Sequence, residues 1–145
     1  MVKINKTMMQ YFEWYLKSDC NLWNNIRLQA SYLETIGITT IWLPPAYKCA
    51  GGKEDTGYGV YDLYDLGEFN QKGSIETKYG KKEEYLDAIK SLKGNGIEVL
   101  ADIVFNHRMG ADDKEEVLAI EEQVNNRTID VSTPKIIEAW TKYNF

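Results

Sequence analysis

Asp102, Asn106 and His107 are the residues whose types and spacing suit chemistry most directly. They lie in the stretch Ile97 to His107 (IEVLADIVFNH), which Val99, Leu100, Ile103, Val104 and Phe105 otherwise make almost continuously apolar. Such a run is expected of a parallel strand buried on both faces, and polar groups gathered at its C-terminal end mark the rim of an α/β active site. An acid, an amide and an imidazole on one rim can grip a polar ligand through hydrogen bonds. The same residues also have a structural reading, in which Asp102 is a hydrogen-bonded core acid and His107 merely tops the strand. One strand does not choose between the two.

A second concentration of chemistry lies between Ala46 and Gly80. Gly57, Tyr58, Gly59, Tyr61, Asp62, Tyr64 and Asp65 set rigid aromatic faces beside carboxylates. A sugar ring, with one apolar face and a rim of hydroxyls, suits such a surface. The alternative is a self-packed Ω-loop whose tyrosines form its own small core. Upstream, the short apolar run Thr7 to Phe12 (TMMQYF) predicts a strand that brings Gln10, Glu13 and Trp14 to its C-terminal end.

These groups need elements to position them. Asp19 or Asn21 can cap a helix reaching about Ile36, with Leu22, Ile26, Ala30, Leu33 and Ile36 at helical spacing and Gly37 as its left-handed exit. Ile38 to Leu43 (ITTIWL) predicts a second strand, stopped by Pro44 and Pro45. Lys81 to Lys93 predicts a second helix with Tyr85, Ile89 and Leu92 on one face, ended by Gly94-Asn95-Gly96. Strand, helix, strand, helix, strand is the signature of right-handed parallel units. Beyond His107 the texture becomes polar and acidic. Propensity alone makes Lys114 to Val124 a helix, and the alternation from Ile136 to Phe145 predicts a strand.

Composition narrows the function classes. At 43% hydrophobic, the 145 residues can bury a core, and a formal charge of -5 with scattered Lys and Arg offers no basic run for a phosphate backbone. Nucleic acid is not expected as a partner, and no stretch reaches membrane-spanning length. Cys20 and Cys49 stand in no ligand spacing and can form at most a single disulfide; two free thiols in a reducing compartment are the expectation. The N-terminus has no apolar h-region, which makes the cytoplasm the default location; a secreted protein with its signal removed would read the same.

The blocks MMQYFEWY, IWLPPAY, GYGVYDLYDLGEFNQKG, TKYG and DIVFNH, with the closing IIEAWTKYNF, closely resemble the α-amylase family of glycoside hydrolases, in particular its bacterial liquefying members. The resemblance runs from about residue 7 to Phe145. It implies an α/β fold: the N-terminal part of a (β/α)8 TIM barrel, about three strands and two helices in residues 1–107, then the start of an inserted β-rich domain B in 108–145. It also implies that 114–124 is strand rather than helix.

Carried over by position, His107 resembles the histidine that hydrogen-bonds the sugar where cleavage occurs, and Tyr58 the tyrosine that stacks on that sugar. Asn106 matches an asparagine that helps hold a structural calcium, a role suited to an oxygen-seeking cation. Asp102 matches an aspartate that supports the active-site network, while Gln10 and Trp14 match substrate-side residues and Asp62 a supporting one. The implied reaction is endo-hydrolysis of α-1,4 bonds in starch-like glucans with retention. The family's nucleophile and general acid sit on later strands, so no catalytic residue is expected here. Glu13, Asp55 and Asp65 could be imagined as a stand-in pair, but the resemblance explains them without that role.

The implied partners are an α-glucan and the remainder of the same chain, since three strands cannot close a barrel. Expressed alone, these residues are expected to aggregate or stay loosely folded. Competing readings are a related α-glucan hydrolase or transglycosylase, a non-catalytic carbohydrate-binding fragment, and a doubly wound nucleotide-binding domain. The last lacks a glycine-rich phosphate loop after its first strand. Cys20 and Cys49 depart from the secreted liquefying pattern and favour an intracellular relative; the segment Lys48 to Thr56 also differs locally.

Overall fold

A computed structural model describes residues 5–145. They divide after Gly110 into two compact units, the second being Ala111–Phe145. In the first unit, β1 (Met8–Gln10), β2 (Thr40–Leu43) and β5 (Glu98–Ala101) form a parallel sheet in the order β1-β2-β5. Register aligns Gln10 with Trp42, and Trp42 with Leu100. The helices α1 (Leu22–Thr35) and α2 (Lys82–Gly94) connect these strands. Strand and helix alternate as the sequence predicts.

The core lies between the helices and one sheet face. Trp23, Ile26 and Leu33 of α1 and Ala88 and Leu92 of α2 meet Ile41, Leu43 and Ile97 there, all nearly inaccessible to water. Each such aliphatic side chain contributes about 1.5–3 kcal/mol when buried. Ile41 and Leu43 share a face because strand side chains alternate, which leaves Gln10, Trp42 and Leu100 on the other.

That geometry corrects the expectation of a long, doubly buried strand over Ile97 to His107. The strand β5 spans four residues and lies at the sheet edge, with Leu100, Ile103 and Phe105 exposed. With a sheet neighbour on one side only, its outward apolar residues have nothing among the described residues to pack on. The central strand is β2. Helix α1 also starts without the expected side-chain cap: Asp19 accepts from the Asn21 amide, and the Trp23 amide is satisfied by the Tyr79 carbonyl. At α2 a Glu84 carboxylate accepts from the Lys81 amide and from Asn24 of α1, locking the helices together.

The long connection after β2 is structured. Within it β3 (Lys48–Cys49) pairs antiparallel with β4 (Val60–Asp62), and Tyr47, Val60 and Val104 form a second small core. In the second unit β6 (Asp113–Ala119) pairs with β9 (Lys135–Lys142), and β7 (Glu122–Gln123) with β8 (Asn126–Asp130). The helix that propensity assigns to 114–124 is therefore absent. Cross-strand pairs such as Val117 with Ile137 and Leu118 with Ile136 outweigh the helix-forming Lys and Glu residues.

Candidate functional site

The strands β1 and β5 end on the same side of the sheet, and the residues just past them converge. The Asp102 amide, one step beyond β5, donates to the Leu43 carbonyl, which fixes where its side chain emerges. There Asp102 accepts a 2.8 Å hydrogen bond from Tyr58 Oη. The Tyr58 ring stacks on Trp14, 6.1 Å between centroids and 14° from parallel. His107 Nε2 lies 2.9 Å from the Tyr58 carbonyl. A carbonyl can only accept, so Nε2 carries a proton, and in the neutral ring Nδ1 presents a lone pair. That lone pair faces Asn106 Nδ2 at 3.4 Å, a long and readily exchanged contact.

What places Tyr58 over β5 is a zipper between two segments distant in sequence. The Met109 amide donates to the Val60 carbonyl, and the Arg108 guanidinium makes two bonds to the Tyr61 carbonyl. Together with His107 these contacts run residues 107–109 along 58–61. Partial burial first, and then the Asp102 carboxylate, push the Tyr58 phenol up to about 12. It thus remains a neutral donor well above neutral pH.

Tyr58, Asp102, His107, Asn106 and Trp14 therefore form one connected group. Trp14 keeps 61% of its surface exposed, and His107 and Asn106 are also open to solvent, so the group faces water as a binding surface must. Gln10 stands exposed at the end of β1, its amide turned back to the Phe12 carbonyl. Asp62 belongs elsewhere: buried on β4, it accepts from the Tyr64 amide and from Gln71.

Beside Asp62 sits a cluster that the sequence does not announce. Lys48, fully buried, donates to the carbonyls of Phe69, Ser74 and Ile75 and lies 3.5 Å from an oxygen of Asp65, itself fully buried. Burial pulls the Lys48 ammonium below its ordinary pKa, and the Asp65 charge opposes that. The tyrosines split accordingly: Tyr47, Tyr61 and Tyr79 are core, Tyr64 is exposed, and Tyr58 donates to Asp102. A lone lysine between Tyr47 and Cys49 in a tyrosine-rich stretch is the signal that could reveal the cluster.

No carboxylate pair suited to acid–base work emerges from the imagined stand-ins. Asp65 accepts from the amides of Gly67, Glu68 and Phe69, Asp55 from those of Gly57 and Gly59, and exposed Glu13 from that of Tyr15. Among the described residues no group of three or more His, Cys, Asp or Glu side chains could hold a metal ion. Asn106 turns its amide nitrogen to His107, leaving its carbonyl oxygen as what it can offer a cation. Calcium takes about 6–8 oxygens, so Asn106 fits as one ligand of a set and not as a site by itself. No helix among the described residues is long and apolar enough to cross a membrane.

A family model described as alpha amylase, catalytic domain, matches residues 21–138. A glucan 1,4-alpha-maltohexaosidase of Bacillus sp. (strain 707) is 55% identical over 141 residues, covering 97% of this chain and 27% of that protein. A cytoplasmic alpha-amylase of Escherichia coli (strain K12) is 49% identical over 142 residues, 97% of this chain and 28% of that one. The chain thus spans about a quarter of the length of these relatives. Among solved structures, a truncated alternansucrase of Leuconostoc mesenteroides aligns over 92% of this chain and 13% of its own, with a TM-score of 0.71 and 23% identity, a likeness of fold.

Proposed function

The chain belongs to the alpha-amylase catalytic-domain family, and on that premise we propose that it forms the substrate-gripping start of an endo-acting hydrolase of α-1,4-glucosidic bonds in starch-type polysaccharides. The observation that carries the reading is the group in which Tyr58 meets Asp102 through its hydroxyl, His107 through its carbonyl and Trp14 through its ring. The apolar face of a glucose unit stacks on the Tyr58 ring, whose tilt Asp102 fixes. A sugar hydroxyl displaces the long Asn106 contact and donates to His107 Nδ1. Gln10 contributes from the end of β1.

Retention of configuration requires two carboxyl groups about 5 Å apart, one nucleophile and one acid. The family resemblance is what puts the reacting pair on later strands, and the residues here bind and orient. Residues 108–145 are read as the beginning of the inserted β-rich domain, and the compact unit Ala111–Phe145 falls within them. Bound calcium would supply structural ordering, with the Asn106 carbonyl oxygen among its ligands. Hydrolysis is favoured because the relatives at 49–55% identity are named alpha-amylases and a maltohexaosidase. The cytoplasm is the location proposed, on the two free thiols and the E. coli relative's name.

The test is reducing-sugar release from soluble starch by the full-length protein, with and without a chelator, following the first anomer by proton NMR. Release of the α-anomer, lost slowly on chelation, is expected. No release removes the hydrolase reading, the β-anomer removes retention, and indifference to chelation removes the calcium.

A further inference from the structure

The contacts around Tyr58 leave one question open: what sets the height of its ring. The turn Gly57-Tyr58-Gly59 has little side chain of its own to hold it. The Asp55 carboxylate does so from beneath: its Oδ1 accepts from the amides of both Gly57 and Gly59, each at 3.2 Å. Two further bonds fix the ends, Tyr79 Oη to the Thr56 carbonyl at 2.7 Å and the Ala50 amide to the Gly59 carbonyl at 2.8 Å. Space is equally tight. A Cβ on Gly57, where φ is +100°, would meet the Pro45 carbonyl oxygen at 2.5 Å, and one on Gly59 would meet Asp55 Oδ2 at 2.3 Å. The Cys49 thiol packs against the same carboxylate, and burial, then the Asp55 charge, push its pKa up.

We propose that Asp55 is a positioning residue for Tyr58: by holding the amides on either side of it, the carboxylate sets where the ring meets Asp102 and Trp14. This deepens the reading of Tyr58 as the sugar-stacking residue and rests on it. Nothing in the geometry puts Asp55 on the substrate, since its carboxylate faces the backbone of the turn. On this proposal its effect on activity passes through Tyr58, and that makes it separable from a general structural role such as packing against Cys49. An ångström of misplacement at a reacting centre can cost on the order of a hundredfold in rate, so a shift of part of that size is readily measured.

The experiment is a double-mutant cycle in the full-length protein, pairing Asp55→Ala with Tyr58→Ala and following kcat and KM on a maltooligosaccharide. It is joined by fluorine NMR of 5-fluorotryptophan protein, with Trp14 assigned by Trp14→Phe. Expected are a loss of about tenfold in kcat/KM for Asp55→Ala, less than about twofold further loss when Tyr58 is already Ala, and a moved Trp14 resonance. Asp55→Asn, whose carbonyl oxygen can accept both amides, should restore most activity. If Asp55→Ala fails to fold, Gly59→Ala decides, because its methyl drives the carboxylate off the amides on a backbone that tolerates alanine. Additive losses, or an unmoved Trp14 resonance in folded Asp55→Ala or Gly59→Ala protein, overturn the proposal. If the parent protein cleaves no α-glucan, the hydrolase reading fails while the Trp14 resonance still judges Asp55.

Discussion

At the scale of residues, the account rests on a phenol held neutral. An acid whose folded-state pKa is raised stabilises the fold fully below its unfolded value, near 10, and loses that contribution as pH rises through the folded value. For Tyr58 the window runs from about pH 10 to about 12. In phenolate absorbance titrations, the difference between parent and Tyr58→Phe is expected to have its midpoint near 12; a midpoint near 10 would mean that Tyr58 is neither partly buried nor bonded to Asp102 as described. Tyr58, Asp102 and His107 are legible in the sequence because each is a polar or aromatic side chain beside glycine or at the end of an apolar run. Asp55 is not legible as their support. A carboxylate two residues before a glycine reads as an ordinary turn, and only the tight space at Gly59 shows what that turn carries.

At the scale of elements, the connection between β2 and α2 is held by charge rather than by strand length. The strands β3 and β4 are only two and three residues long, too short to order some thirty-five residues unaided. Lys48 gathers three carbonyls and Asp65 from across the connection. Lys48→Met would leave Asp65 buried without its cation and three carbonyls without a donor, a cost of about 3–5 kcal/mol. The expected result is rapid protease cleavage between residues 50 and 76, with a lower urea midpoint; unchanged cleavage would show that the cluster is not what orders the segment. Periodicity reveals α1, α2 and β2, where burial on one face imposes it. It misses the brevity of β5 and the strand β6, because there the pairing partner decides, and β9 lies some twenty residues further on.

At the scale of the whole molecule, the first unit carries an unfinished sheet. Met8 and Leu100, on its helix-free face, are 58% and 42% exposed, and Phe105 beyond β5 is 79% exposed. A polypeptide of these 145 residues alone is therefore expected to bind a hydrophobic dye strongly and to lack a sharp thermal transition; a soluble monomer melting cooperatively would contradict this. The coarse architecture is legible from the alternation of elements, and the site's members can be picked out one by one, but the contacts that join positions 14, 58, 102 and 107 form only in three dimensions. The most direct measurement is a crystal structure of the full-length protein with a slowly cleaved maltooligosaccharide. The account places a glucose ring flat on Tyr58 with a hydroxyl within hydrogen-bonding distance of His107; sugar bound elsewhere, with Tyr58 and His107 untouched, would contradict it.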